Sequence, residues 1–299
     1  MSSDPQPPPK VDAPSPLQQQ FHEQYRRSRR RLWLQSTIVL VVFCVVVWGS
    51  AGVSQFTIGR LWEALPRMGD YIWRTLPDLS VASFWSDMGD WFYAFPRWLR
   101  LLLDTIVIAV MATFLGAAGA LCLCFTASRN LVARYWLYWI ARRSAEVART
   151  IPEIVFALIF VVAFGVGATA GLLAITIHTF GALTKLYSEV NENIDSRPLE
   201  GLEATGAHWV QRMRFAVLPQ VSAGYITYTL WRLELNIRAA AIIGFVGAGG
   251  IGQELYHAIS MGYYEDISAI ILMIIFTITV IDLGCERMRH HFIGKEVLT

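Results

Sequence analysis

Long uncharged blocks are the feature that most constrains how this chain can fold. The first of them, residues 32–53, contains no charged residue and directly follows a cluster of arginines. A helix of about 20 apolar residues crosses the roughly 30 Å hydrocarbon core of a bilayer. Of the 299 residues, 55% are hydrophobic and 16% are charged, whereas soluble domains carry about 25% charged residues. The chain is therefore predicted to be an all-α integral membrane protein.

The N-terminal residues differ from the block that follows them. Residues 1–20 are rich in Pro, Ser and Gln, and residues 26–31 are five arginines and one serine. We expect residues 1–31 to form a disordered, basic cytoplasmic tail and residues 32–53 to form the first transmembrane helix. A secretory signal peptide is excluded because the apolar block is too long and no small-residue cleavage site follows it.

Residues 54–98 have a different composition from the apolar blocks. Five tryptophans, from Trp62 to Trp98, alternate with four arginines and five acidic residues. Such aromatic-rich amphipathic sequence is typical of the membrane interface. We expect one or two extracytoplasmic interfacial helices here, and an ordinary extracytoplasmic loop is the alternative.

Five further apolar segments predict additional spans, at about residues 99–125, 135–166, 168–190, 219–246 and 267–283. Gly116, Ala117, Ala118, Gly119 and Ala120 form a small-residue stripe in the second span that would let another helix approach closely. The Ile151-Pro152 pair interrupts the third span, and the short turn at residues 165–167 requires the fourth span to run back beside the third. The predicted total is six transmembrane helices.

Arginine placement orients these spans. The basic pairs Arg129/Arg134, Arg212/Arg214 and Arg287/Arg289 all fall on the same side as the N-terminal arginines. Because basic residues accumulate in cytoplasmic loops, both termini are expected in the cytoplasm. Residues 99–290 would then form a transmembrane core with a cytoplasmic loop at residues 191–219, and residues 291–299 would be a cytoplasmic C-terminal tail.

A motif in that cytoplasmic loop resembles the signature of ATP-binding cassette (ABC) importer permeases, EAA-x3-G-x9-I-x-L-P. Glu200, Gly206 and the pair Leu218-Pro219 stand at the matching positions. Gly201 and Leu202 replace the two alanines of the pattern, and Ala216 replaces its isoleucine. The spacing is intact although the letters are partly changed.

The resemblance implies a coupling helix that docks into an ATPase subunit and transmits its closure to the pore. Small residues on one face of a short helix would fit a groove on that partner, and the carboxylates could meet basic groups there. Pro219 suits the first turn of the next span because its missing N–H would be unsatisfied there in any case. The residues expected to couple are Glu200, Gly201, Glu203, Ala204, Gly206, Ala207, Leu218 and Pro219.

Other segments of the core resemble phosphonate importer permeases in particular. They are residues 149–160, 178–186, 232–240 and 244–252, and the whole resemblance covers about residues 99–290. It implies a methionine-importer-like permease core, extended here by one N-terminal helix and the interfacial segment. It also implies a subunit that moves phosphonate or related phosphorus oxyanions into the cell. Phosphate, phosphite or another small solute are the alternative cargoes.

The same resemblance implies the rest of the complex. It would contain a second copy of this chain, two ATP-binding ABC subunits and an extracytoplasmic substrate-binding protein, all at a bacterial inner membrane and in contact with lipid. The pore would lie on the two-fold axis between the two copies. ATP and magnesium would be held by the partner ATPase, this chain would carry no cofactor or catalytic residue, and no nucleic acid is expected.

Ionisable residues inside a span are costly and usually face the bundle interior or a water-filled path. The fifth predicted span carries several, and Glu234 and Arg238 stand four residues apart on one helix face. We expect them to pair, with Arg232 near mid-membrane and Arg238 in the outer half, so that a neutralised arginine offers an oxyanion only a weak field. A structural salt bridge is the alternative. The candidate translocation residues are Arg149, His178, Arg232, Glu234, Asn236 and Arg238.

Residues 247–252 match G-x-G-x-x-G, but a dinucleotide site needs this motif between a strand and a helix. Here it follows a membrane span. Gly247, Gly249, Gly250 and Gly252 are instead expected to permit close backbone approach at the outer end of the pore, as a gate, with a flexible connection as the alternative.

Other classes of protein fit the sequence less well. The chain has no P-loop and no metal-ligand spacing, and its four cysteines lie in apolar segments. A secondary transporter remains as a second hypothesis, although the sequence lacks the matched unwound segments of inverted repeats.

Overall fold

The computed structural model describes residues 16–54 and 57–296, and within these ranges every regular element is a helix. Contacts divide the chain into two compact units, residues 1–71 and 72–299. The predicted all-helical fold is confirmed.

The first unit contains helix α1 (Pro16–Val53) and most of α2 (Ile58–Thr75). The expected disordered tail at residues 1–31 is wrong for its second half, because α1 already begins at Pro16. The apolar side chains of α1 between Leu32 and Val53 are almost entirely exposed, which suits contact with lipid. Residues 1–15 lie outside the described residues.

The second unit contains the remaining helices. They are α3 (Phe84–Trp91), α4 (Phe95–Cys124), α5 (Tyr135–Thr150), α6 (Glu153–Phe164), α7 (Ala168–Glu192), α8 (Arg197–Ala204), α9 (Trp209–Arg212), α10 (Leu218–Ile243), α11 (Ile251–Met261) and α12 (Tyr264–Glu296). A π-helical turn, Met213–Val217, precedes α10, and a 3-10 turn, Gly244–Val246, follows it. Helix α12 continues to Glu296, so the C-terminal tail expected at residues 291–299 is helical over most of its length.

Four helices among the described residues are long and apolar enough to cross a membrane, and the number rises to six if each of two bent pairs is one span. The pair α5 and α6 bends by 83° beside Pro152, whose ring cannot continue a regular helix. The helices from Trp209 to Val246 bend by 45° into α11. The six predicted spans correspond to these four helices and two bent pairs. The third span is not one helix with an interruption, because its two halves, α5 and α6, meet at a sharp bend.

Helix α7 is the centre of the second unit and packs against α4, α5, α6 and α10. The predicted small-residue stripe of α4 faces it: a Cβ atom at Gly116 would lie 2.7 Å from Thr179 Cγ2. Ala112, Ala117 and Ala120 are buried in the same interface. These glycine and alanine positions let the helix backbones approach closely, as small residues do between membrane helices.

The interfacial segment includes two helices, in agreement with the one or two expected. Helix α3 is joined to the start of α12, since Trp91 Nε1 donates to Glu265 O at 3.2 Å and Ser268 Oγ at 3.1 Å. Tyr93 OH donates to Asp266 Oδ2 at 3.0 Å, and its burial and this bond raise the pKa of Tyr93. The position of this segment at a membrane surface stays a prediction.

We expect Gly181→Ala to destabilise the helical core, because an added Cβ would lie 2.6 Å from Ala145 O and 2.7 Å from Arg149 N on α5. Backbone atoms cannot move aside as a side chain can, so the free energy of unfolding should fall by about 1–3 kcal/mol. Thermal unfolding of the detergent-solubilised protein measures the effect.

The matched control is Gly284→Ala in α12, where an added Cβ meets nothing within 4 Å. Equal stability of the two variants would contradict the close α5–α7 approach.

Candidate translocation site and coupling surface

The segment between α7 and α10 forms a short helical hairpin at one end of the bundle. Helix α8 ends at Ala204, and Gly206, two residues further on, has a left-handed φ of +79°. Gly206 N donates to Glu203 O at 3.0 Å, and Ala207 N donates to Leu202 O at 3.2 Å, so the last turn of α8 is closed by backbone bonds. Glycine is favoured here because most side chains with a Cβ are strained at this φ. The coupling-motif glycine thus reverses the chain between α8 and α9.

Helix α8 offers an exposed surface that carries several of the predicted coupling residues. None of its residues is buried, and a Cβ at Gly201 would meet nothing within 4 Å. Both of its carboxylates have partners within this chain: Glu200 accepts from Ser196 Oγ at 2.7 Å, and Glu203 pairs with Arg212 at 3.0 Å. The exposed residues of α8 that carry no charge are Pro198, Gly201 and Ala204. Docking of this surface on another protein stays a prediction.

The hairpin is attached to the bundle by polar contacts that sequence reasoning missed. Gln220 Oε1 accepts from Asp195 N at 3.0 Å, and Gln220 Nε2 donates to Asp195 O at 3.3 Å. Trp209 Nε1 donates to Leu131 O at 2.9 Å. Leu218 and Pro219 occupy the first turn of α10, as predicted. Gln220 directly follows the Leu-Pro pair, which is the only signal in the sequence for its role.

A buried polar network joins α4, α7 and α10. Asn236 Nδ2 donates to Thr113 Oγ1 at 2.8 Å and to Thr179 Oγ1 at 2.9 Å. Thr113 and Thr179 are almost fully buried, and Asn236 is completely so. Burying these groups costs little because each is hydrogen-bonded. Asn236, one of the predicted translocation residues, therefore has a structural role: it joins α10 to α4 and α7.

Arg232 lies beside this network and is also buried, with 8% of its surface exposed. Its Nε donates to Thr179 Oγ1 at 3.4 Å, and its Nη2 contacts Nδ1 of His178. The same ring nitrogen lies 3.5 Å from Glu153 Oε2 on α6. The structure therefore brings together Arg232 and His178, both predicted, and adds Glu153 as a third member.

The expected pair between Glu234 and Arg238 is wrong. Glu234 Oε1 instead lies 2.9 Å from Arg289 Nη2, and Arg238 Nη2 donates to Asp282 Oδ2 at 2.5 Å. Both partners belong to α12, which packs antiparallel against α10 and extends beyond the span predicted for it. Charges on neighbouring helices meet more closely here than charges one turn apart on the same helix.

Combined with the predicted orientation of the chain, this register changes the depth expected for Arg238. Glu234 lies level with Arg289, a residue of the basic run that the arginine pattern assigns to the cytoplasmic end of α12. Because α11 continues beyond α10, the outer end of the bent pair lies past residue 246. On that assignment, Glu234 and Arg238 lie nearer the cytoplasmic end than the expected outer half. Arg149 is exposed at the end of α5, and its role in a path stays a prediction.

The glycine segment at residues 247–252 is packed against its surroundings rather than loose. Gly247, Gly249 and Gly250 have positive φ, and a Cβ at Gly252 would lie 1.9 Å from Ala241 O. Gly167 N donates to Gly247 O at 2.9 Å, and Ile251 N donates to Thr105 Oγ1 at 2.9 Å. The expected close backbone approach is present. A gating function for this segment stays a prediction.

The helical fold, the bent spans and the exposed α8–α9 hairpin define a multi-pass membrane translocation subunit. Residues 124–292 match the family described as the binding-protein-dependent transport system inner membrane component, and the chain belongs to that family. It is a permease of an ABC importer.

Individual proteins support this assignment. The phosphite transport system permease protein PtxC of Stutzerimonas stutzeri is 32% identical over 260 residues, which are 87% of this chain and 90% of that protein. The phosphate-import permease protein PhnE of Mycolicibacterium smegmatis is 33% identical over 189 residues, 63% of this chain and 36% of that protein. A structure of the MetNI methionine ABC transporter in an inward-facing conformation aligns with a TM-score of 0.59 at 20% identity, covering 65% of this chain and 95% of that chain. The methionine-importer-like fold of the core is confirmed.

We expect a double-mutant cycle on Arg238 and Asp282, with alanine at each position, to give a coupling energy of at least ~0.5 kcal/mol in the free energy of unfolding. The 2.5 Å contact between the two side chains is the reason. The comparison cycle on Arg238 and Glu234 should give a smaller coupling energy. Denaturation of the purified protein in detergent measures both, and the reverse order would restore the pairing along α10.

Proposed function

We propose that this chain is the membrane-spanning permease of an ATP-driven importer that carries phosphonate or a related phosphorus oxyanion into the cell. The observation that carries the proposal is the exposed α8 hairpin with its left-handed Gly206, which contains the residues that resemble the coupling motif of ABC permeases. Membership of the binding-protein-dependent family supports the same direction of transport.

Coupling depends on the shape and attachment of this hairpin. Gly201 and Ala204 leave part of the exposed surface of α8 without long side chains, which suits insertion into a groove of the ATPase. The Glu203–Arg212 pair holds α8 against α9, and the two bonds of Gln220 with Asp195 join the start of the hairpin to α10. A displacement of α8 by the ATPase would then be transmitted to the helix that carries the buried charges.

The cargo is inferred from chemistry and from the relatives. The two relatives named above are permeases for phosphite and for phosphate, and four core segments of this chain resemble phosphonate permeases. All three solutes are compact anions with several phosphorus-bound oxygens. Arg232, buried and planar, offers the donor geometry that binds such oxyanions. Another small solute on the same permease architecture is the alternative cargo.

The complex proposed for this activity contains two copies of the chain, two ABC ATPase subunits and an extracytoplasmic substrate-binding protein. ATP and magnesium would be bound by the ATPase subunits, so hydrolysis would not occur in this chain. Both termini would lie in the cytoplasm, and the pore would follow the two-fold axis between the copies. A secondary transporter is the competing function, and survival of uptake without any ATPase would favour it.

We expect Gly206→Val to uncouple transport from ATP hydrolysis. Valine at a φ of +79° is strained by about 1–2 kcal/mol and would displace the turn between α8 and α9. In proteoliposomes containing the whole complex, stimulation of ATPase activity by loaded binding protein should be lost, while the chain still inserts.

The matched variant is Gly206→Asn, because asparagine tolerates left-handed φ and should retain most of the coupling. Normal stimulated ATPase activity in Gly206→Val would contradict the role of the hairpin.

Cargo identity is tested by ATP-dependent uptake into proteoliposomes with radiolabelled methylphosphonate, phosphite and phosphate. Uptake of at least one of these, dependent on ATP and on the binding protein, is expected. Removal of residues 199–219 should abolish both uptake and co-purification of the ATPase. Transport that persists after this removal would instead indicate a secondary transporter.

A further inference from the structure

Arg232 is a buried cation whose neutralisation within this chain is incomplete. Among the described residues no carboxylate lies within salt-bridge distance of its guanidinium, and its printed contacts use Nε and Nη2. Its Nη1 has no hydrogen-bond partner in that part of the chain, yet it is not sealed from open space. A guanidinium carries five N–H donors. Arg232 therefore retains unused donors on Nη1, an atom that is not fully enclosed.

Glu153 is linked to this guanidinium through His178. Its carboxylate lies 3.5 Å from His178 Nδ1, the same nitrogen that contacts Arg232. Exposure rises along the row, from Arg232 at 8% of its surface to side chains of His178 and Glu153 at 16% and 32%. Glu153 also begins α6, directly after the 83° bend beside Pro152. The row thus leads from an exposed carboxylate to a buried cation.

We propose that Arg232 and His178 form an oxyanion subsite in the translocation path, and that Glu153 is the resident carboxylate which the transported phosphorus oxyanion displaces. This inference rests on the proposed function, since it assigns a place in the chain to that cargo. A phosphonate or phosphate group offers several oxygens, and arginine binds such groups with paired N–H donors. The exchange between Glu153 and the oxyanion was not predicted from the sequence.

Exchange with a resident carboxylate explains how the site can be passed through. A buried arginine without a counter-charge would hold a dianion tightly, whereas a conducting site must bind weakly enough to release. Glu153 competes for the same cation and so lowers the affinity of the oxyanion. Its place at the start of α6 links that competition to the bend, because a change in the angle between α5 and α6 moves the carboxylate relative to His178.

The buried amide network keeps the cation in position. Thr179 accepts from Arg232 Nε and is itself held by Asn236, which in turn contacts Thr113 on α4. Arg232 is therefore fixed by α7 and α10 together, while Glu153 belongs to the more exposed α6. The position of the cation relative to α7 is therefore fixed, and its distance from Glu153 on α6 is the one in the row that can change.

The test is equilibrium binding of radiolabelled inorganic phosphate and methylphosphonate to the purified permease–ATPase complex without binding protein. Glu153→Gln removes the competing charge with little change of shape, and its affinity should be at least tenfold higher than that of the unaltered complex, or ~1.4 kcal/mol. Glu153→Ala should give the same gain without an amide near Arg232. Uptake driven by loaded binding protein should fall in both, because the oxyanion is released slowly.

Two control variants give the test its specificity. Glu189→Gln removes a carboxylate of α7 that pairs with Lys185 at 3.3 Å, outside the row, and should leave phosphate affinity unchanged. Adding Arg232→Gln to Glu153→Gln should abolish the gained affinity in complexes that still co-purify with the ATPase.

Affinity within twofold of the unaltered complex in both Glu153 variants would overturn the inference, as would a gain that survives Arg232→Gln. If the unaltered complex imports a phosphorus oxyanion while the Glu153 variants gain no affinity, only this inference fails. If the unaltered complex imports none of the three oxyanions, the proposed cargo fails and the inference fails with it.

Discussion

The need to compensate polar groups on α10 within an apolar bundle determines much of the arrangement around it. Ionisable groups away from water require partners, and α10 carries four strongly polar side chains within seven residues. Their partners lie on three neighbouring helices: Arg232 contacts α7, Asn236 contacts α7 and α4, and Glu234 and Arg238 both pair with α12. Helices α4, α7 and α12 are thus held around α10 by contacts that only one register satisfies.

Close packing makes these contacts possible. Asn236 reaches both Thr113 and Thr179 only because α4 and α7 approach at Gly116, where a Cβ would meet Thr179 at 2.7 Å. Gly181 has the same effect between α5 and α7, and it keeps the end of α5 beside His178. Small residues therefore determine where the polar residues meet. The small-residue stripe of α4 and the polar residues of α10, noted separately in the sequence, belong to one interface.

The sequence predicted what depends on local pattern and missed what depends on neighbouring helices. Apolar length gave the helical segments, and the spacing of Gly206 to Leu218-Pro219 located the hairpin with its left-handed turn. The pairing of Glu234 with Arg238 was wrong because spacing along one helix contains no information about α12. The proximity of Glu153 to His178 was not predicted, since it depends on an 83° bend that no local pattern specifies.

The coupling hairpin and the buried charges are connected through one helix. Gln220 binds Asp195 at the base of α10, and Arg232 lies on the same helix about three turns further along. Between them, Tyr225 donates to Asn191 of α7 at 2.5 Å. This bond joins α7 and α10 at a point between the hairpin and Arg232. Movement of the hairpin would therefore displace His178 and Arg232 together, leaving Glu153 on α6 as the group whose distance from them changes. Such a movement would alter the competition between Glu153 and the oxyanion for Arg232 without separating α7 from α10.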